Sequence, residues 1–195
     1  MAFITKAEAV AAFRSAQARQ PLRKSARQIL SESADRFDRE KKYDVFVSHC
    51  HEDAEVVAGI KFFLEKHGVS VYVDRFEDPL LDPSAVTPAT AATLRERMHA
   101  CASMLFATSE TSSDSKWMPW ELGYFDGLRQ GQIGIFPLVD NQDDSFKGQE
   151  YLGLYPVLER LPTTSGGFAL AVRTRTKYML LEDFAAGAKT FREFS

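Results

Sequence analysis

A tryptophan and a glutamate four residues apart are the side chains in this sequence best suited to chemistry. They lie in residues 115–122, Ser-Lys-Trp-Met-Pro-Trp-Glu-Leu, and the pattern predicts the start of a helix. On a helix, Trp117 and Glu121 share one face, about one turn apart. One carboxylate beside one flat aromatic ring suits a ligand that is positively charged and contains a ring.

Pro119 sets the position of Glu121 in this helix. Because proline is tolerated only in the first turn of a helix, Glu121 should lie close to the helix start, where the positive end of the helix dipole favours an anion. We therefore expect Glu121 to be ionised at neutral pH. The same spacing is equally typical of a helix start with buried tryptophans and no activity.

Length and composition indicate a globular protein without a membrane span. The chain has 195 residues and 45% hydrophobic residues, which fits one domain with an extension. No apolar run approaches the length of a membrane helix, and the N-terminus lacks the apolar core of a signal peptide. The expected location is the cytoplasm.

The formal charge of −3 hides an asymmetry along the chain. Residues 1–42 contain ten basic and five acidic residues, a net charge of +5, and the remainder has a net charge of −8. The two parts should therefore attract each other. Since the basic residues are interleaved with acidic ones, binding to nucleic acid or to a membrane is not expected.

The first 42 residues predict a helical N-terminal extension with a break near Pro21. Its second helix has an apolar stripe that includes Leu22, Ile29, Leu30 and Phe37. Such a stripe must dock on another surface. That surface is either the following domain or a second molecule.

From residue 43 to 195 the pattern predicts an α/β domain. Short apolar runs at residues 43–47, 69–73, 104–107 and 133–139 alternate with helical periodicity at 52–66, 89–101 and 116–130. Strands that are apolar on both sides, with helices between them, indicate a parallel sheet with helices on both faces. Further on, residues 151–155 predict a short strand or helix, 169–173 a strand and 178–186 a helix.

Polar residues follow the predicted strands, at the edge where open parallel sheets bind ligands. Ser48 and His49 follow the first strand, and Asp74 and Arg75 follow the second. Residues 75–87 form a long connection, which is a candidate lid or contact loop.

Other kinds of site are disfavoured. The run at residues 48–53, Ser-His-Cys-His-Glu-Asp, has metal-binding side chains, but the spacing of zinc ligands and a second cluster are missing, so no metal is expected. The sequence also lacks the Gly-x-Ser-x-Gly elbow of hydrolases, the Walker phosphate loop and the Gly-x-Gly-x-x-Gly fingerprint.

Three motifs in order resemble the Toll/interleukin-1 receptor (TIR) domain family, in particular its bacterial NAD-cleaving branch. They are the Tyr-Asp-Val-Phe-Val-Ser-His strand at residues 43–49, the Val-Tyr-Val-Asp strand at 71–74 with its long loop, and the Trp-x-x-x-Glu pair at 117–121. The resemblance covers residues 43–139. The Leu-x-x-Gly pattern often seen in the loop of that family is absent, and residues 81–86 read Leu-Asp-Pro-Ser-Ala-Val instead.

The resemblance implies a flavodoxin-like fold and cleavage of the nicotinamide–ribose bond of NAD⁺, with NAD⁺ as the substrate and no cofactor. Glu121 would be the catalytic glutamate. The residues that would contact the substrate are Trp117, Ser48, His49, Asp74, Arg75 and Phe76. It further implies bacterial immune, anti-phage signalling, self-association through TIR–TIR contacts and a possible downstream effector protein. The product could be ADP-ribose or a cyclic or modified form of it.

Two other functions remain open at this point. The protein could be a non-catalytic adaptor that uses the fold for homotypic assembly. A phosphoacceptor receiver has a similar fold, but no acidic pair lies directly at the end of the first predicted strand, so this class is disfavoured.

Overall fold

The computed structural model describes residues 2–20, 23–38, 40–49, 53–73, 87–108, 117–142, 144 and 149–194. In this part of the chain, a single sheet contains all the strands. They are β1 (Ile4–Thr5), β2 (Tyr43–His49), β3 (Val71–Val73), β4 (Cys101–Thr108), β5 (Ile133–Val139), β6 (Val157–Pro162), β7 (Phe168–Arg173), β8 (Lys177–Leu180) and β9 (Arg192–Glu193).

The sheet has a parallel half and an antiparallel half. Strands β3, β2, β4, β5 and β6 lie side by side in that order and are parallel, which confirms the flavodoxin-like α/β prediction. Strands β7, β8 and β9 then extend the sheet in antiparallel fashion. The sequence pattern predicted β7 but neither β6 nor β8 nor β9.

Helices cover both faces of the sheet. They are α1 (Lys6–Ala18), α2 (Ala26–Asp35), α3 (Ala54–Lys66), α4 (Pro88–His99), α5 (Met118–Arg129) and α6 (Leu181–Ala185), with a 3₁₀ helix at Glu150–Leu154. Helices α1, α2, α3 and α6 share one apolar cluster with the sheet. Helices α4 and α5 share a second cluster with its other face.

Successive side chains of β2 lie alternately in these two clusters. Val45 and Val47 belong to the first cluster, and Phe46 belongs to the second. All three are fully buried, and burial of such a side chain contributes about 1.5–3 kcal/mol. This burial explains why residues 43–49 form a continuous apolar strand.

The N-terminal extension packs against the rest of the chain. Phe13 of α1 is 2% exposed and lies in the first cluster, and β1 pairs in parallel with the end of β5. Helix α1 approaches α3 so closely that a Cβ at Gly59 would lie 2.1 Å from the Ala9 carbonyl oxygen. The division of the chain at residue 42 therefore does not separate two hydrophobic cores.

Charge also joins the extension to the domain, as the asymmetry along the sequence predicts. Lys6 Nζ lies 3.0 Å from Asp140, and Arg14 lies 3.1 Å from Glu55. Both pairs are solvent-exposed, and such pairs contribute only about 0–1 kcal/mol each. The apolar contacts of α1 are therefore the main attachment.

The apolar stripe of α2 packs against other parts of the same chain. Ile29 and Leu30 are 9% and 4% exposed and lie in the first cluster, whereas Leu22 is outside the described residues. Phe37 stacks on Tyr43 in the second cluster. The described residues of the stripe thus pack against the rest of the chain, which is the first of the two surfaces that the sequence left open.

The helix predicted at residues 178–186 is also wrong in part. Lys177–Leu180 is strand β8, and only Leu181–Ala185 is helical. Met179 is 1% exposed and packs in the first cluster, whereas its neighbours Tyr178 and Leu180 are more exposed. This alternation has the period of a strand, and it is too short to be distinguished from a helix in the sequence.

Candidate active site

The candidate site lies at the carboxyl end of β2, where this strand faces the start of α5. Phe46 packs against Phe125 of α5, with ring centroids 6.5 Å apart. Because side chains two residues apart point to the same face of a strand, Ser48 also faces α5. Ser48 is fully buried there.

Ser48 and Glu121 form a buried hydrogen bond. The Ser48 hydroxyl donates to Glu121 Oε2 at 2.6 Å, and both residues are 0% exposed. The distance is in the short range expected for a hydroxyl and a charged carboxylate. The sequence predicted both residues for the site but not that they contact each other.

The start of α5 is arranged as the sequence predicts. Pro119 is the second residue of the helix, and Glu121 lies in its first turn. Burial of a carboxylate away from water costs free energy unless other groups stabilise its charge. The helix dipole and the Ser48 hydroxyl both favour the anion, so this position can hold a charged carboxylate inside the protein.

Trp117 immediately precedes this helix. It is 7% exposed, and its carbonyl oxygen accepts from the Glu121 backbone N–H at 2.9 Å. Its ring meets Trp120 edge-to-face, with centroids 5.5 Å apart. Trp120 is half-buried and lies at the rim of the second cluster. Trp117 therefore lies one turn from Glu121, with most of its ring packed in the protein.

His49 follows Ser48 but is placed differently. It is the last residue of β2, is half-buried and pairs with Ala107 of β4. By strand alternation, it shares the face of Val45 and Val47, which is opposite to that of Ser48. The strand thus directs these two predicted site residues to different faces of the sheet.

The other predicted contacts lie outside the described residues. They are Asp74, Arg75 and Phe76, and the whole stretch 74–86 is outside as well. Their role in binding stays a prediction.

Two clefts in the described surface do not include the candidate site. One of about 610 Å³ lies between α2 and α3 and is lined by residues such as Lys24, Tyr43 and Lys61. Another of about 550 Å³ lies between α1 and α3. Neither is lined by Ser48 or Glu121, and both lie where the N-terminal extension borders α3.

The described ranges contain neither a metal-binding cluster nor a membrane-spanning helix. No group of three or more His, Cys, Asp or Glu side chains there could hold a metal ion. Among the helices of the same ranges, none combines the length and the apolar character that a membrane span requires.

The comparisons with known proteins agree with the motifs. A family model described as "TIR domain" matches residues 45–157, more than half of the chain. The chain is 50% identical over 137 residues to the "Probable 3' cyclic ADP-D-ribose synthase ThsB'" of Bacillus cereus (strain MSX-D12), a match that covers 70% of each protein. It is 32% identical over 85 residues to the "Putative cyclic ADP-D-ribose synthase TIR2" of Cytobacillus dafuensis, covering 43% of this chain and 22% of that protein. The chain therefore belongs to the TIR domain family.

Proposed function

We propose that this protein cleaves the nicotinamide–ribose bond of NAD⁺ and converts the remainder to a cyclic ADP-ribose. The observation that carries the proposal is the Glu121 carboxylate, held by Ser48 at the start of α5. The names of both relatives, which describe cyclic ADP-ribose synthases, support the same reaction.

One carboxylate is enough for this reaction. Ordinary glycoside hydrolysis requires two, one of which protonates a poor leaving group. Nicotinamide in NAD⁺ is a cationic pyridinium and departs as a neutral molecule without protonation. The remaining task is to stabilise the positive charge that develops on the ribose.

Glu121 would perform this task. Opposite charges about 4 Å apart, at an effective dielectric constant near 20, interact by roughly 4 kcal/mol. That amount corresponds to about a thousandfold in rate. Only the part of the attraction that grows toward the transition state accelerates the reaction, so this is an upper value. A carboxylate can accept several hydrogen bonds, so a ribose hydroxyl can bind while Ser48 remains in place.

Burial of Glu121 favours a cyclic product over a linear one. The ribose cation can be captured by water or by a nucleophile of the same substrate molecule. Glu121 is 0% exposed, so water would stay excluded from the carboxylate if the substrate fills the space of the atoms that now cover it. The same burial requires that the atoms covering Glu121 move when NAD⁺ enters.

The proposal includes contacts with the rest of the substrate. Trp117 would form an aromatic wall for a base or the pyridinium, where a cation–π contact contributes about 0.5–2 kcal/mol. His49, Asp74, Arg75 and Phe76 would contact ribose or phosphate. The biological role would be anti-phage signalling in the cytoplasm, with self-association of TIR domains and an effector protein that senses the product.

Full burial of Glu121 is also the observation that favours the alternative, a non-catalytic adaptor. One experiment separates the two functions. Purified protein is incubated with NAD⁺, and nicotinamide and nucleotide products are followed by liquid chromatography and mass spectrometry. We expect nicotinamide in equal amount to a product one water molecule lighter than ADP-ribose. An adaptor would leave NAD⁺ intact at every protein concentration.

A further inference from the structure

The residue that precedes α5 does not cap the helix with its own side chain, unlike the residues that precede the earlier helices. Each of the helices α1, α2, α3 and α4 is capped by the residue before it, whose side chain accepts from a backbone N–H of the first turn. The capping residues are Thr5, Ser25, Asp53 and Thr87, in that order. Trp117 occupies the same position in α5, and an indole N–H can only donate. Trp117 therefore contributes to the start of this helix through contacts of its ring rather than as a cap.

An aromatic stack provides a second attachment for this turn. The Trp120 ring meets Trp117 edge-to-face and stacks on Tyr124 with centroids 5.6 Å apart and an angle of 16°. Both geometries are favourable for aromatic pairs. The stack thus runs along α5 from the position before the helix to its second turn.

Helix α4 holds the stack from outside. The Arg95 guanidinium lies 5.5 Å from the Trp120 ring centroid and 5.7 Å from that of Tyr124, within the range of cation–π contacts. His99, one turn further along α4, shares a 3.0 Å hydrogen bond with the Tyr124 hydroxyl. Arg95 and His99 are exposed, so neither is required to fill the core.

We propose that Arg95, Trp120 and Tyr124 are positioning residues that hold the first turn of α5 against α4 and so fix Trp117 and Glu121. We call these three residues the α4–α5 clamp. The inference rests on the proposed function and deepens it, because the clamp acts on the reaction only through Trp117 and Glu121.

A loosened clamp should affect the chemical step more than folding. A displacement of about 1 Å of a reacting group can lower a rate by about 100-fold. It should also admit water near the ribose cation, which raises the share of linear ADP-ribose. Binding of the distant parts of NAD⁺ should change little.

The primary variant is Arg95→Ala, and Arg175→Ala is its matched control in the exposed turn after β7. For Arg95→Ala we expect kcat to fall about 5- to 20-fold, KM to rise by a smaller factor than the fall in kcat, and the linear fraction of product to rise. Arg95→Lys, which keeps a cation above the rings, should recover part of kcat. Trp120→Phe should retain more activity than Trp120→Ala. The control should match the wild type.

Tryptophan spectroscopy gives a readout that does not depend on activity. The chain has two tryptophans, and both belong to this stack. Tryptophan emission, excited selectively, therefore reports on Trp117 and Trp120 alone, and near-ultraviolet circular dichroism reports on them together with the tyrosines, which include Tyr124. Arg95→Ala should change both spectra while its melting temperature stays close to that of the control.

The outcomes separate the clamp from the proposed function. If wild-type protein releases no nicotinamide, the proposed function fails and the catalytic role of the clamp fails with it, whatever the spectra show. If the wild type is active and Arg95→Ala has normal kcat and product ratio, the clamp proposal alone is overturned. If Trp120→Ala unfolds, the activities of Arg95→Ala and Trp120→Phe per folded molecule still test the clamp proposal.

Discussion

The Ser48 hydroxyl and the Glu121 carboxylate meet through a 2.6 Å hydrogen bond that links positions 73 residues apart in sequence. The bond connects the end of β2 to the first turn of α5 and has no contact with solvent. Glu121 is thus oriented by the sheet as well as by its own helix.

Ser48→Ala should lower catalysis because Glu121 loses this donor. A buried carboxylate that loses a hydrogen bond costs about 1–3 kcal/mol, and we expect a loss of activity of about 10- to 100-fold per folded molecule. Nicotinamide release measures the loss of activity, and chemical denaturation measures the loss of stability.

Ser70→Ala is the matched control for this variant. The Ser70 hydroxyl also donates to a carboxylate, that of Asp44, at 2.7 Å. The Ser70→Ala protein should be less stable than the wild type but keep its activity per folded molecule. Equal losses of activity in the two variants would contradict a specific role for Ser48.

Trp117→Phe should raise KM for NAD⁺ several-fold while the protein remains folded. Phenylalanine keeps an aromatic ring but has a smaller face for stacking. Trp117→Ala is less informative, because removal of a ring that is 7% exposed should cost about 3–5 kcal/mol on its own. A drop in melting temperature with unchanged KM in Trp117→Phe would show that Trp117 serves only the core.

Gly59→Ala should destabilise the protein by displacing α1. The added Cβ would lie 2.1 Å from the Ala9 carbonyl oxygen and 2.4 Å from its carbon, which are backbone atoms that cannot rotate away. We expect a loss of about 1–3 kcal/mol or more in urea unfolding. Gly127→Ala is the control, since its Cβ would meet nothing within 4 Å, and alanine should stabilise that helix by about 0.5–1 kcal/mol. Equal stability of both variants would contradict the close contact of α1 and α3.

Glu8 should make the attachment of the extension dependent on pH. Burial alone would raise the pKa of Glu8, but hydrogen bonds from Thr5 and Arg160 outweigh it and lower this pKa below the ordinary value of 4.5. A lowered folded-state pKa stabilises the protein above pH 4.5, and this contribution is lost as the pH falls through the lowered value. Glu8→Gln should therefore be less stable than the wild type at pH 7, and the difference should vanish in acid. A difference that does not change with pH would contradict this account.

Four of the five strands in the parallel half could be predicted, because β2, β3, β4 and β5 are buried on both faces. Ile133–Val139 is one continuous buried run, and the sequence predicted its bounds. The pair β8 and β9 has only four and two residues, partly exposed, so neither has a pattern long enough to recognise. Strand β1 has two residues and depends entirely on β5 as its partner.

The site could be predicted only as far as its contacts are local. Trp117 and Glu121 share a helix turn, so their spacing determines their proximity. The hydrogen bond from Ser48 depends on how α5 packs on β2, which spacing does not show. The contact of Arg95 with Trp120 likewise joins two helices.

The central claim is that the charge of Glu121 stabilises the ribose cation. Glu121→Gln keeps the shape of the side chain and an oxygen that can accept from Ser48, so it should fold nearly as well as the wild type. The most direct measurement is the rate of nicotinamide release from NAD⁺ by this variant, at a protein concentration where the wild type is active and with melting temperatures compared in parallel. We predict a loss of two or more orders of magnitude. A folded Glu121→Gln protein that releases nicotinamide at the wild-type rate would contradict the account.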